Sequence, residues 1–131
     1  MNTKERLSMF VGMFVKVMVG NNIKFGMVDE LHHLPNKELG LGFVYTDKDN
    51  KGQKMYVAHL IHDEKDIIPC KDDEEQNKCI ASAIEFWDYE VESLKARIAH
   101  EYEIDDPVQL ECFLRNAEMW KSALHKKYDK K

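Results

Sequence analysis

The chain has little cysteine, little proline, few glycines, no long apolar run and no excess of cations. Its three cysteines, Cys70, Cys79 and Cys112, are an odd number at spacings that match no zinc or redox pattern. They fit free thiols in a reducing compartment better than a disulfide framework. The six glycines are scattered and form neither GxGxxG nor a Walker-type loop, which speaks against nucleotide hydrolysis. There is no GxSxG elbow, and Ser8, Ser82, Ser93 and Ser122 fall in terminal or helical positions without an evident base. The longest apolar stretch, Met9 to Val19, is broken by Gly12 and Lys16 and falls short of the roughly 20 residues that span a bilayer. No membrane association is expected. The polar N-terminus lacks a small-residue cleavage site after its apolar stretch, so a retained terminus and a cytoplasmic location are expected.

Metal chemistry finds little support. His32 and His33 are adjacent, and in an extended segment they point to opposite faces; His59 and His62 do the same because their separation is odd. A cluster of these with His100 and Asp63 or a cysteine would require a bend, and no HExxH, EF-hand or paired-cysteine motif is present. Carboxylate pairs such as Glu85 with Asp88, or Glu90 with Glu101, occur on what reads as a solvated helix face. Neither a catalytic residue nor a cofactor or metal site is assigned, and an enzyme is not expected.

What is present is the material of one soluble domain, or of two small units: 131 residues, 44% apolar and 33% charged. Through Cys70 nine basic residues balance nine acidic ones; from Lys71 onward ten face fifteen, so the net charge of -5 belongs to the second part. That part repels phosphate backbones on average.

Between Val11 and Cys70 the pattern alternates. Val11, Met13, Val15, Val17 and Val19 line one side of an extended segment, and Gly20-Asn21-Asn22 then supplies a turn. Ile23, Phe25, Met27 and Leu31 continue the alternation, with Lys24 and Glu30 facing the other way. A breaker-rich loop from Pro35 to Gly40 precedes a strand over Leu41–Thr46. Asp49-Asn50-Lys51-Gly52 signals a hairpin returning through Lys54–His62, and Asp66–Pro69 forms a last short piece. Four or five short strands must curl or be covered. The expected architecture is α+β: residues 1–70 form a small β-barrel similar to the SH3-like superfold, or a curled antiparallel sheet. That similarity rests on strand count and spacing and carries no function.

Residues 71–131 read as an acidic antiparallel two-helix hairpin packed on the barrel. Ile80, Ile84, Trp87, Val91, Leu94 and Ile98 form one three-and-four-spaced seam; Leu110, Phe113, Ala117, Trp120 and Leu124 form a second. Asp72 and Glu75 suit a capped entrance to the first helix, which runs to about Glu103. Asp105 or Asp106 caps the second helix, with Pro107 in its first turn and Gln109 completing the cap. Lys126, Lys127, Lys130 and Lys131 suit the negative end of that helix.

Phe86 and Tyr89 lie off the first seam, and Cys112 and Met119 off the second. The expected function is therefore a non-catalytic protein–protein interaction module, an adaptor, regulator or inhibitor. Phe86, Tyr89 and Met119 would be its apolar contacts, and Glu92, Glu101, Glu111 and Glu118 its charges. The partner is another protein or, through a four-helix dimer, a second copy of the chain. The alternative is a nucleic-acid-binding barrel, with Phe14, Tyr45 and Tyr56 stacking on bases beside Lys16, Lys24 and Lys54. A metal- or thiol-dependent enzyme is a weaker third.

Overall fold

The computed structural model describes residues 2–100 and 106–128. It is α+β: a five-stranded antiparallel sheet, β1 (Phe14–Val19), β2 (Asn22–His33), β3 (Leu39–Lys48), β4 (Lys54–Ile61) and β5 (Ile67–Ile68), precedes two long helices. A short helix, α1 (Thr3–Ser8), leads the sheet; α2 (Asp73–Ala99) and α3 (Pro107–Tyr128) follow it. No helix among the described residues is long and apolar enough to cross a membrane.

The strand order is β4-β3-β2-β1-β5. The last strand thus returns to pair with the first, Val17 opposite Ile67. Closure would need β5 to pair with β4 as well, and among the described residues it pairs only with β1. The sheet is therefore open and not the closed barrel expected from strand count.

Two further expectations are corrected. The first strand begins at Phe14, so Val15, Val17 and Val19 enter the core whereas Val11 and Met13 are exposed. The alternation of β2 also does not run through to Leu31. Met27 pairs with Val44 and Leu31 with Leu41, and these partners are an odd number of residues apart on β3, so they face opposite sides. The register shifts between Val28 and Glu30, a bulge at Asp29 that moves Leu31 to the same face as Val28.

That face carries Val15, Val17, Val28, Leu41, Phe43, Tyr45 and Ile61 into one core, joined by Leu7 of α1 and, half-buried, Phe10. The N-terminal segment that reads as a polar terminus is thus structural. Asn2 caps α1 by accepting from the Glu5 backbone N–H at 2.8 Å. The β3–β4 turn follows the sequence signal: Asp49 Oδ1 accepts from the backbone N–H groups of Lys51 and Gln53, and Gly52 takes φ +79°.

The change from extended to helical chain occurs after Cys70, but compactness divides the chain at Met1–Ala83 and Ile84–Lys131, inside α2. In the first unit, the start of α2 is tied to the strands. Ser82 Oγ accepts from Thr46 N at 2.7 Å, Thr46 Oγ1 donates to Ser82 O at 2.8 Å, and Lys16 pairs with Glu75 at 3.0 Å. In the second unit, Trp87 stacks on Trp120 at 6.3 Å, so α2 and α3 lie side by side.

Candidate functional site

The caps that orient the two long helices are local. Glu75 N donates to Asp72 Oδ1 at 2.9 Å, and Glu75 Oε1 in turn accepts from Lys71 N at 2.9 Å. The Lys71 backbone N–H holds the Glu75 carboxyl below the usual range, helped by Lys16. Asp106 Oδ1 accepts from Val108 N at 3.0 Å, which starts α3. The other cap candidate, Asp105, and the predicted end of the first helix near Glu103 lie outside the described residues.

On α2, Ile80, Trp87, Val91 and Leu94 are buried along the expected seam. A second buried line runs through Cys79, Ala83 and Phe86 at four- and three-residue spacing. The half-buried Glu90 extends it, and burial raises its carboxyl pKa. Phe86 is only 3% exposed, with its ring edge-on to Trp87. It is therefore a packing residue in this structure, and its ring is not presented as a surface anchor. Tyr89, by contrast, is exposed, and Glu92 is on the surface of α2.

On α3, Leu110, Ala117 and Leu124 form the buried side, while Phe113, placed in the seam by its spacing, is half exposed at the edge. The opposite side carries Val108 at 70% exposure and Met119 at 53%. These two are eleven positions apart, about three helical turns, and so share one side. Cys112, exposed and four residues after Val108, falls on the same line. Glu111 and Glu118 flank it one pair of turns apart, and Arg115 lies between them. Glu101 lies outside the described residues. A shallow groove of about 280 Å³ runs beside this face, lined by Val91, Lys95, Glu118, Lys121, Ser122 and His125. His125 Nε2 lies 2.7 Å from Asp88 Oδ1 at its edge.

The sheet places two other groups of polar side chains. At the β2 bulge, Asp29 Oδ1 is sealed from solvent and accepts no hydrogen bond among the described residues. Burial raises the carboxyl to about 6, reinforced by Glu30 and opposed by His32 and by backbone N–H groups. His32 Nε2 lies 3.2 Å from Glu30 Oε1. His59, half-buried on β4, has its pKa lowered by burial and by the charge of His62. No three His, Cys, Asp or Glu side chains among the described residues are grouped so as to hold a metal ion.

Cys70 and Cys79 come together, their sulfurs 3.4 Å apart. Their separation of nine residues matches no motif, so the pairing is invisible until α2 is docked on β1. The residues expected for nucleic acid are dispersed. Tyr45 is buried, and Lys24 is engaged by Asp47, whose carboxyl it holds below the usual range. Lys16 is engaged by Glu75. Lys54, however, pairs across from Lys48 at the end of β3–β4, with Lys51 in the turn between them.

Comparison with protein-family models, with curated proteins and with solved structures gives no match.

Proposed function

We propose that the chain is a non-catalytic protein-interaction module that docks through the outward side of α3, with Val108 and Met119 as apolar anchors. The observation that supports this is their exposure, 70% and 53%, on the side of α3 opposite Leu110, Ala117 and Leu124. Large apolar side chains aligned along a helix gain free energy when a partner covers them, and such anchors dominate association when flanked by polar groups. Glu111 and Glu118 on one flank favour a partner whose apolar patch has a basic rim. In this proposal α2 and α3 form an antiparallel hairpin; the exposed Tyr89, two residues and so about half a turn from Trp87, lies on the side of α2 turned away from α3, and with Glu92 is a contact separate from the Val108–Met119 face. Phe86 is left out of it, because its burial makes it part of the packing.

The test compares partners retained from the native source by wild type with those retained by a Val108→Ser/Met119→Ser double variant whose melting temperature is unchanged. Loss of a partner that binds through a basic-rimmed apolar surface supports the assignment. Retention of every partner by the folded double variant refutes it.

A second function rests on the β3–β4 hairpin, where Lys48 and Lys54 face each other across the strands. Together with Lys51 in the turn they gather three cations at this end of the sheet, which favours an anionic strand. A single-stranded nucleic acid bound there would dissociate steeply and regularly with added salt. The α3 contact, largely apolar, would respond less.

A further inference from the structure

Three cysteines are present, and the fold brings two of them to neighbouring carbonyls of one strand. Cys70 Sγ donates to Phe14 O at 3.7 Å and Cys79 Sγ donates to Val15 O at 3.3 Å. The two sulfurs are thereby held 3.4 Å apart, and both are free thiols. We infer that Cys70 and Cys79 are a modification site: they form a reversible intramolecular disulfide that ties the segment entering α2 to the body of that helix.

The geometry requires little. A disulfide holds its sulfurs at about 2.05 Å, so the pair must close by about 1.4 Å. Cys79 is fixed on α2, whereas Cys70 lies in the short connection between β5 and α2, outside any helix or strand. That connection can absorb the movement. Cys112 is on α3 in the other compact unit and exposed, so it reports the reactivity of an ordinary surface thiol in the same molecule.

The two sulfurs differ in access, which orders the steps. Cys70 is half-buried and Cys79 buried. With a low-molecular-weight disulfide as oxidant, the Cys70 thiolate attacks one sulfur of the small disulfide. One protein–small-molecule S–S bond forms, the small disulfide bond breaks, and a small thiolate leaves. Cys79, deprotonated as it reacts, then attacks the Cys70 sulfur and expels the second small thiolate. Two protein thiols are oxidised, one small disulfide is reduced to two thiols, and the two protons end on those leaving thiolates. Burial first, and then the neighbouring Cys70, push the Cys79 thiol up to about 12, so Cys79 is the second group to react and not the first. Converting Cys70 to an uncharged mixed disulfide removes the second of those causes.

The experiment treats the full chain, natively folded, with oxidised glutathione and maps the peptides without reduction. The expected product joins the Cys70 and Cys79 peptides and is lighter by two hydrogen atoms than the reduced pair. It forms equally in Cys112→Ser. In Cys79→Ala, Cys70 stops at the glutathione adduct. In Cys70→Ser, which changes only the half-buried partner, Cys79 stays a thiol. The oxidised wild type melts about 5 °C or more above the reduced form, and Cys70→Ser shows no such rise. Wild type in which Cys70 accumulates as the glutathione adduct while Cys79 remains a thiol would overturn the inference, as would Cys112 being the preferred partner of either cysteine.

Discussion

Asp29 and Gly42 fit against each other across the β2–β3 pair: a Cβ on Gly42 would collide with Asp29 Oδ1 and stand 2.9 Å from His32 Nε2. The missing side chain at Gly42 is what leaves room for a carboxylate at the bulge. The same oxygen is sealed from solvent without a hydrogen bond among the described residues, so the site is a cost that the sheet carries.

Stability should therefore respond to pH in a direction opposite to that of a salt-bridged carboxylate. Asp29 is raised from 3.8 to about 6 in the folded chain, so the folded state binds its proton more tightly than the unfolded state. Its contribution is fully present below about pH 4 and is lost as pH rises through about 6, a change of about 1–3 kcal/mol. Glu90, also raised by burial, adds a slope of the same sign. Asp29→Asn should flatten the pH 4–6 part of a urea-unfolding series and be more stable than wild type at pH 7. Parallel curves for the two proteins would contradict the assignment.

Two glycines should rank by what their added methyl meets. At Gly26 the Cβ runs into the Val44 backbone carbonyl, which the ladder holds; at Gly42 it meets the end of a side chain. Gly26→Ala should cost about 3 kcal/mol or more, and Gly42→Ala about 1–3 kcal/mol. Denaturant midpoints measure both, and the reverse order would show that the Asp29 side chain is the more rigid obstacle.

Phe86 and Tyr89 should separate cleanly. Phe86→Ala removes a buried ring and should cost about 3–5 kcal/mol, whereas Tyr89→Ala, at a position 48% exposed, should stay within about 1 kcal/mol. Equal losses in chemical denaturation would mean that the two faces of α2 are packed alike.

Leu7 anchors α1 in the sheet core at 8% exposure. Leu7→Ala should destabilise by about 2–4 kcal/mol, while Met9→Ala, on an exposed neighbour, should change little. A silent Leu7→Ala in thermal melts would show that the N-terminal segment is dispensable.

These residues also show which features were legible beforehand. The caps at Asp72 and Asp106 and the Asp49–Gly52 turn were readable because their hydrogen bonds close within a few residues. Val15 and Val17 were readable because a strand's faces alternate. The bulge at Asp29 was not, since one extra residue shows only against the register of β3. The burial of Phe86 is not legible, because periodicity locates one seam on α2 and is silent about a second buried line through Cys79 and Ala83. The six-residue α1 is too short for any period to emerge, and its burial depends on Leu7 finding the sheet.

Sequence alone determined the order of extended and helical segments after α1, the turn chemistry and the surplus of negative charge after Lys71, because each arises from neighbours along the chain. Tertiary structure decided that the sheet stays open, that Asp29 loses its solvent, and that Cys70 meets Cys79. Those outcomes depend on which strand edge β5 finds and how α2 lies on β1, contacts between residues far apart in sequence whose free energy no local pattern encodes.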